Sequence, residues 1–300
     1  MQGFQIKTMN RMTQTVIGMA IGLCMGLASA SLASGDQEDA SSFEVVPLSK
    51  VDWQQLNPAR GDKSPQAGTL WGDRKGKEPT GFLAKFLDGF SSPPHIHNAT
   101  YRAVVIEGLI HNDDPSAEKM WMPAGSFWTQ PKGEMHITAA KGDRNMALVE
   151  IDMGPYLVLG ENEKFDSGER PVNVVPSNLV WTASDGFELS EENPKIAYLW
   201  GDLADGQSNG TFIKLPKGFH CDISVDSPTF RAVVIQGRLG HAKLEHAKLG
   251  NAKPSEGKLL PGSYFGSTGS FVHKVSAESD TILYVRTQGR YQLSKSSPAQ

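Results

Sequence analysis

The sequence has little cysteine: two residues, Cys24 and Cys221, in a chain of 300. That excludes a disulfide framework, which needs several pairs. An excess of positive charge is also lacking. The formal net charge is -4, so there is no strong basic field to draw nucleic acid or an anionic membrane, and no nucleic-acid partner is expected. No sustained 3.6-residue apolar period appears, so long amphipathic helices are not expected either. The one prolonged apolar run, Val16 to Ala28 (VIGMAIGLCMGLA), is too short to favour a transmembrane helix.

That run has its own reading. Lys7 and Arg11 precede it with no acidic residue nearby, and Ala28-Ser29-Ala30 has the small-x-small form of a cleavage site. Residues 1–30 therefore read as a secretory signal peptide, and 31–42 as a disordered linker. The mature chain is expected in the periplasm or outside the cell, with no membrane contact after cleavage. Cys24 leaves with the leader. Cys221, then alone, reads as a small buried residue, with a reactive thiol as the alternative.

What the chain does have is a copy of itself. At an offset of 129 residues, Val45-Val46-Pro47 returns as Val174-Val175-Pro176, and Leu70-Trp71-Gly72-Asp73 as Leu199-Trp200-Gly201-Asp202. Arg102 to Ile106 (RAVVI) is identical to Arg231 to Ile235. Gly125-Ser126 and His136 then pair with Gly262-Ser263 and His273 at an offset of 137. The extra residues fall near HAKLE-HAKLG-NAKPS, His241 to Ser255, which reads as a solvated loop extension; a metal tract through His241 and His246 is the other reading.

Within each copy, short apolar or β-branched runs are punctuated by the 31 glycines and 18 prolines. This is an all-β pattern of two small antiparallel barrels or sandwiches, over 43–165 and 172–293. RAVVI is apolar at consecutive positions, so both its faces should be covered, one by the barrel core and the other by the sister copy or another subunit. A homodimer is one arrangement that would provide this.

The first copy carries spacings with chemical meaning. Gly89 is followed after five residues by His95, then one residue, then His97, then ten residues and Gly108. Alternation along a strand puts His95 and His97 on one face. Gly125 is followed by Pro131, Gly133 and His136, a turn that delivers a third imidazole to a neighbouring strand. Three histidines so placed make a facial ligand set with open positions.

These blocks resemble the two motifs of the cupin superfamily, Gly-x5-His-x-His-x3-Glu-x6-Gly and Gly-x5-Pro-x-Gly-x2-His-x3-Asn. The chain as a whole is similar to an exported bacterial family of double-barrel cupins and to the cupin domain of ChrR-type anti-sigma factors. The resemblance implies two tandem double-stranded β-helix (jelly-roll) barrels and a divalent metal on His95, His97 and His136. Zn or Fe is the expected ion, with Mn and Ni as others. Two motif positions depart: Tyr101 replaces the glutamate and Ala140 the asparagine.

Tyr101 reads as packing, since Phe230 holds the matching position, or as a phenol facing the ion or substrate. Glu134, two residues before His136, and Glu150, on the following strand, are candidates for a fourth ligand, an orienting group or a general base. Tyr101, Glu134 and Glu150 are thus the candidate catalytic residues. The second copy has Ser224 and Asp226 in place of the first two histidines and reads as degenerate. Trp121, Met122, Phe127 and Trp128 offer an apolar wall for a small organic ligand, or serve the core. The expected function is a metalloenzyme for a small organic molecule: a three-histidine Fe(II) dioxygenase, or a Zn(II) hydrolase, lyase or isomerase. The alternative is a non-catalytic binding or sensing module.

Overall fold

The protein is described here by a computed structural model covering residues 42–242 and 258–296. The expected leader, nearly all of the linker and most of the pentad repeat lie outside the described residues. All described residues belong to one compact unit, Asp39–Gln300. Among them, no helix is long and apolar enough to cross a membrane.

The described part is almost entirely antiparallel β-structure, with short 3-10 turns such as Leu48–Lys50. The first copy builds a seven-stranded sheet, whose centre is Tyr101–Asp113 paired with Ile137–Ile151. The second builds a ten-stranded sheet around His220–Gln236, Tyr264–Ala277 and Thr281–Gln288. A two-stranded ribbon, Ile96–His97 with Val158–Leu159, carries part of the candidate site.

Sheet membership departs from chain order at two matched places. Ser42–Val46 leads the first copy, yet it pairs with Tyr264–Thr268 in the second sheet. Val172–Val174 leads the second, yet it pairs with Phe127–Thr129 in the first. The leading strand of each copy is lodged in the sheet of the other.

Alternation along RAVVI explains the core. Ala103 and Val105 point into the first barrel with Trp128, Ala147 and Val149. Val104 and Ile106 point the other way, into an apolar cluster shared with Val233, Ile235 and Tyr284 of the second copy. Ala232 and Val234 fill the second barrel. Both faces of the strand are therefore covered, and the cover is the sister copy. Each buried valine or isoleucine of the run contributes roughly 1.5–3 kcal/mol.

The repeated tryptophans also belong to this seam. Trp71 lies against Tyr264, ring centroids 5.2 Å apart, and Trp200 Nε1 donates to Tyr284 Oη at 2.9 Å. Each indole lies over a matched glycine. A Cβ at Gly81 would come within 2.1 Å of Trp71, and one at Gly210 within 1.9 Å of Trp200. Cys221 is fully buried in the second barrel. Burial first, then Asp222, push its thiol up to about 12, so it is the small core residue and not a reactive thiol.

Candidate metal centre

The three histidines are brought together by backbone pairing. His95 and His136 form an antiparallel bridge, with His95 N donating to His136 O at 3.1 Å and His136 N to His95 O at 3.0 Å. Partners in such a bridge project on one face, and His97 shares it two residues on. Ile96, between them, is fully buried on the other side. The Pro131–Gly133 turn supplies the return: Gly133 has φ 76° and donates its N–H to His97 O at 2.9 Å. A Cβ there would meet Phe165 O at 2.5 Å, so glycine is required twice over.

The ligand atoms of His95, His97 and His136 all lie within 4.8 Å of one another. Neighbouring atoms bound to one ion at 2.0–2.2 Å stand about 3.0–3.4 Å apart, so the widest pair has at most about 1.8 Å to close around an ion. Each Nδ1 faces a backbone carbonyl: His95 that of Pro93 at 2.9 Å, His97 that of Leu157 at 2.8 Å, His136 that of Glu134 at 3.3 Å. A carbonyl only accepts, so each Nδ1 carries the proton and each Nε2 keeps its lone pair. This is the tautomer that metal ligation needs, fixed from outside the ligand set.

Electrostatics agree. Burial, then His95, lower the His97 pKa to about 3, against the opposing carbonyl of Leu157. Burial, then His97 and His95, hold His136 well below its ordinary value. Burial also lowers His95, which is partly exposed and marks the open side of the site.

Two phenols close the inner side. Tyr101 Oη lies 3.4 Å from His136 Nε2 and donates to Asn112 Oδ1 at 2.8 Å. The direction of that bond follows from a chain that ends on a carbonyl. Gln130 Nε2 donates to Glu134 O at 3.1 Å, which turns Gln130 Oε1 toward Asn112 Nδ2 at 2.9 Å. Asn112 Oδ1 must then accept, from Tyr101 and from Thr138 Oγ1 at 2.7 Å. Tyr101 is thereby held as a neutral phenol, and burial pushes its pKa up to about 12. Its oxygen faces His136 Nε2 lone pair to lone pair, a junction that a cation satisfies. The second phenol, Tyr156, stacks on His97 with centroids 4.4 Å apart and donates to its Nε2 at 3.1 Å. Nothing in the sequence pattern marked Tyr156; it sits in irregular chain after the strand Ile137–Ile151.

The two glutamates are corrected. Glu134 does not bring a carboxylate to the imidazoles, since the ligand group is His95, His97 and His136 only. It lies in the turn after Pro131, where strand alternation does not apply. It serves the site through its backbone carbonyl instead. Glu150 is fully buried, but on the seam between the copies. Its Oε1 accepts from Tyr284 Oη at 2.7 Å and Arg286 Nη1 at 3.3 Å. Its neighbours Val149 and Ile151 face the first barrel, so Glu150 faces away from the metal ligands and is neither ligand nor base. Of the apolar wall, Trp128 and Met122 line the first barrel, whereas Phe127 belongs to the shared cluster.

The second copy holds no comparable set among the described residues. Asp226 is exposed and accepts from Ser270. His273 is buried, its Nδ1 3.2 Å from His241 Nε2 and its Nε2 3.0 Å from Ser267 Oγ. His241 is thus a correction: it is no loop residue but the buried end of Leu239–His241, at the position Asn112 holds in the first copy.

Residues 44–294 match the family described as a domain of unknown function (DUF4437). The chain belongs to that family. No curated protein is similar enough to match. Among solved structures, a candidate dioxygenase from Nostoc punctiforme PCC 73102 is 12% identical, with 86% of this chain and 88% of that one covered at a TM-score of 0.62. Protein Ylba from E. coli, of the DUF861 family, is 12% identical over 83% and 92%, TM-score 0.54. Salicylate 1,2-dioxygenase from Pseudoaminobacter salicylatoxidans, in adducts with gentisate, is 14% identical over 86% of each chain, TM-score 0.51. At these identities the likeness is one of fold alone.

Proposed function

We propose that this DUF4437 protein is an exported, metal-dependent enzyme acting on a small organic molecule, with His95, His97 and His136 holding a divalent ion through Nε2. The observation that carries the reading is the tautomer lock: three separate backbone carbonyls take the three Nδ1 protons and leave the Nε2 lone pairs free, in a cluster whose ligand atoms lie within 4.8 Å of one another. When bound, the ion supplies Lewis acidity at open positions, and as iron it suits dioxygenation.

The remaining work falls to the chain. The partly exposed His95 leaves the open positions facing solvent, so a small molecule enters beside it. Tyr101, fixed as a donor to Asn112, presents an accepting oxygen on the inner side. Trp128, Met122 and Phe82 exclude water behind it. Three neutral imidazoles leave positive charge to be balanced, which favours an anionic or chelating substrate. The fold likeness to salicylate 1,2-dioxygenase supports assaying hydroxylated aromatic acids with O2 first.

The test is turnover by the purified protein reloaded with Fe(II) or Zn(II). Oxygen uptake or hydrolysis that disappears in His95→Ala supports the proposal. Ligand-dependent stabilisation without turnover would make it a binding or sensing module instead.

A further inference from the structure

The cupin motif places a carboxylate where this chain has Tyr101, and Tyr101 is held neutral by the chain from Glu134 O through Gln130 and Asn112. The site is therefore short of an anionic ligand. We propose that Tyr156 supplies it, binding the ion as a phenolate beside His97. This rests on the metal reading above and completes the ligand set that reading leaves at three.

Position comes first. The dipeptide Tyr156–Leu157 takes hold of both nitrogens of His97: Leu157 O receives Nδ1–H at 2.8 Å, and Tyr156 Oη lies 3.1 Å from Nε2. Asn98 clamps the same segment, donating to Pro155 O and accepting from Leu157 N, both at 2.9 Å. Two neighbouring ligand atoms on one ion, each at 2.0–2.2 Å, stand about 3.0–3.4 Å apart. The 3.1 Å from Oη to Nε2 is that spacing. The near-parallel stack, 13° between planes, keeps the phenol oxygen beside the imidazole nitrogen.

The second copy serves as an internal control. Tyr291 follows Gly289 as Tyr156 follows Gly154, and it packs edge-on against Phe230 at 6.1 Å, as Tyr156 does against Tyr101 at 6.1 Å. Where the metal ligands are missing, the phenol has a protein partner: Tyr291 Oη lies 2.8 Å from Thr211 Oγ1. The first-copy residue at the Thr211 position is Phe82, which packs against Tyr156 at 5.8 Å and offers no hydroxyl. Among the described residues, His97 Nε2 is the one hydrogen-bond partner of the Tyr156 phenol, and an ion takes that lone pair. Ligation breaks the phenol O–H bond, forms one metal–oxygen bond and releases one proton to solvent. No electron is transferred.

Ferric iron is the probe, because phenolate-to-iron(III) charge transfer absorbs in the visible, where imidazole and phenol do not. The stripped protein is loaded with one equivalent of Fe(III), and iron content and visible spectrum are recorded for wild type, Tyr156→Phe and Tyr101→Phe. The expected result is one iron per chain in all three, with a visible band in wild type and Tyr101→Phe that is lost in Tyr156→Phe. Phenylalanine keeps the stack on His97, and circular dichroism verifies the fold. Iron bound without a band in wild type, or a band lost in Tyr101→Phe and kept in Tyr156→Phe, would overturn the proposal while leaving the three-histidine reading intact. No iron bound to wild type would overturn both.

Discussion

His95 and His136 exchange both backbone hydrogen bonds, at 3.1 and 3.0 Å. Their side chains are held on one face by the main chain, not by each other. Replacing the partly exposed His95 with alanine should remove a ligand and leave the register. We expect His95→Ala to change the stability of the metal-free protein by less than about 1 kcal/mol. His97 is 3% exposed and stacked on Tyr156, so His97→Ala should cost about 2–3 kcal/mol. Urea denaturation of both variants after chelation distinguishes the two.

Glu150→Ala should damage the fold and spare the metal. The carboxylate joins Tyr284 and Arg286 of the second copy, and removing one member of a buried ion pair typically costs 3–5 kcal/mol. Because Arg286 keeps Asp152 at 2.9 Å, about 3 kcal/mol is expected. Metal stoichiometry measured on the folded variant should be unchanged; loss of the ion would return Glu150 to the site.

The metal-free protein should lose stability as pH falls below about 6.5. His97 and His273 both have folded pKa values lowered to about 3 from 6.5, chiefly by burial. Below 6.5 the unfolded chain takes up protons that the folded chain refuses, so each proton drives unfolding. The contribution is complete above pH 6.5, declines down to about 3 and is flat below that. Melting temperatures of the chelated protein between pH 7.5 and about 4.5 should fall, and the His273→Gln variant should show a shallower slope.

Much of this site could be read from spacing alone. The glycines, Pro131 and three histidines mark turns and strand faces, which are local properties, and the structure brings His95, His97 and His136 together. RAVVI announced that both its faces are covered, because consecutive apolar residues on a strand need two apolar partners. The two glutamates were misplaced for a physical reason. Alternation counts only inside a regular strand, and Glu134 lies in a turn; Glu150 does lie in a strand, on the face turned toward the other copy. Tyr156 and His241 reach their places by tertiary packing, the first through Asn98 and His97, the second through His273. Nor does a strand's sequence say which sheet it joins, so the exchange of Ser42–Val46 and Val172–Val174 had no local signal.

The seam can be tested at the duplicated Trp–Gly pair. A methyl group at Gly81 would press 2.1 Å from the Trp71 ring, and the indole cannot withdraw without leaving Tyr264. Gly81→Ala should therefore cost about 1–3 kcal/mol by overpacking. Alanine at exposed Gly168, where no atom lies within 4 Å, should cost less, and only through its φ of 83°.

The most direct measurement of the central claim is elemental analysis of the purified full-length protein, beside a His95→Ala/His97→Ala variant. One equivalent of a transition metal per chain in the wild type, absent from the folded variant, is the predicted result. A wild-type protein that carries no ion and takes none up when offered Fe, Zn, Mn or Ni would contradict it.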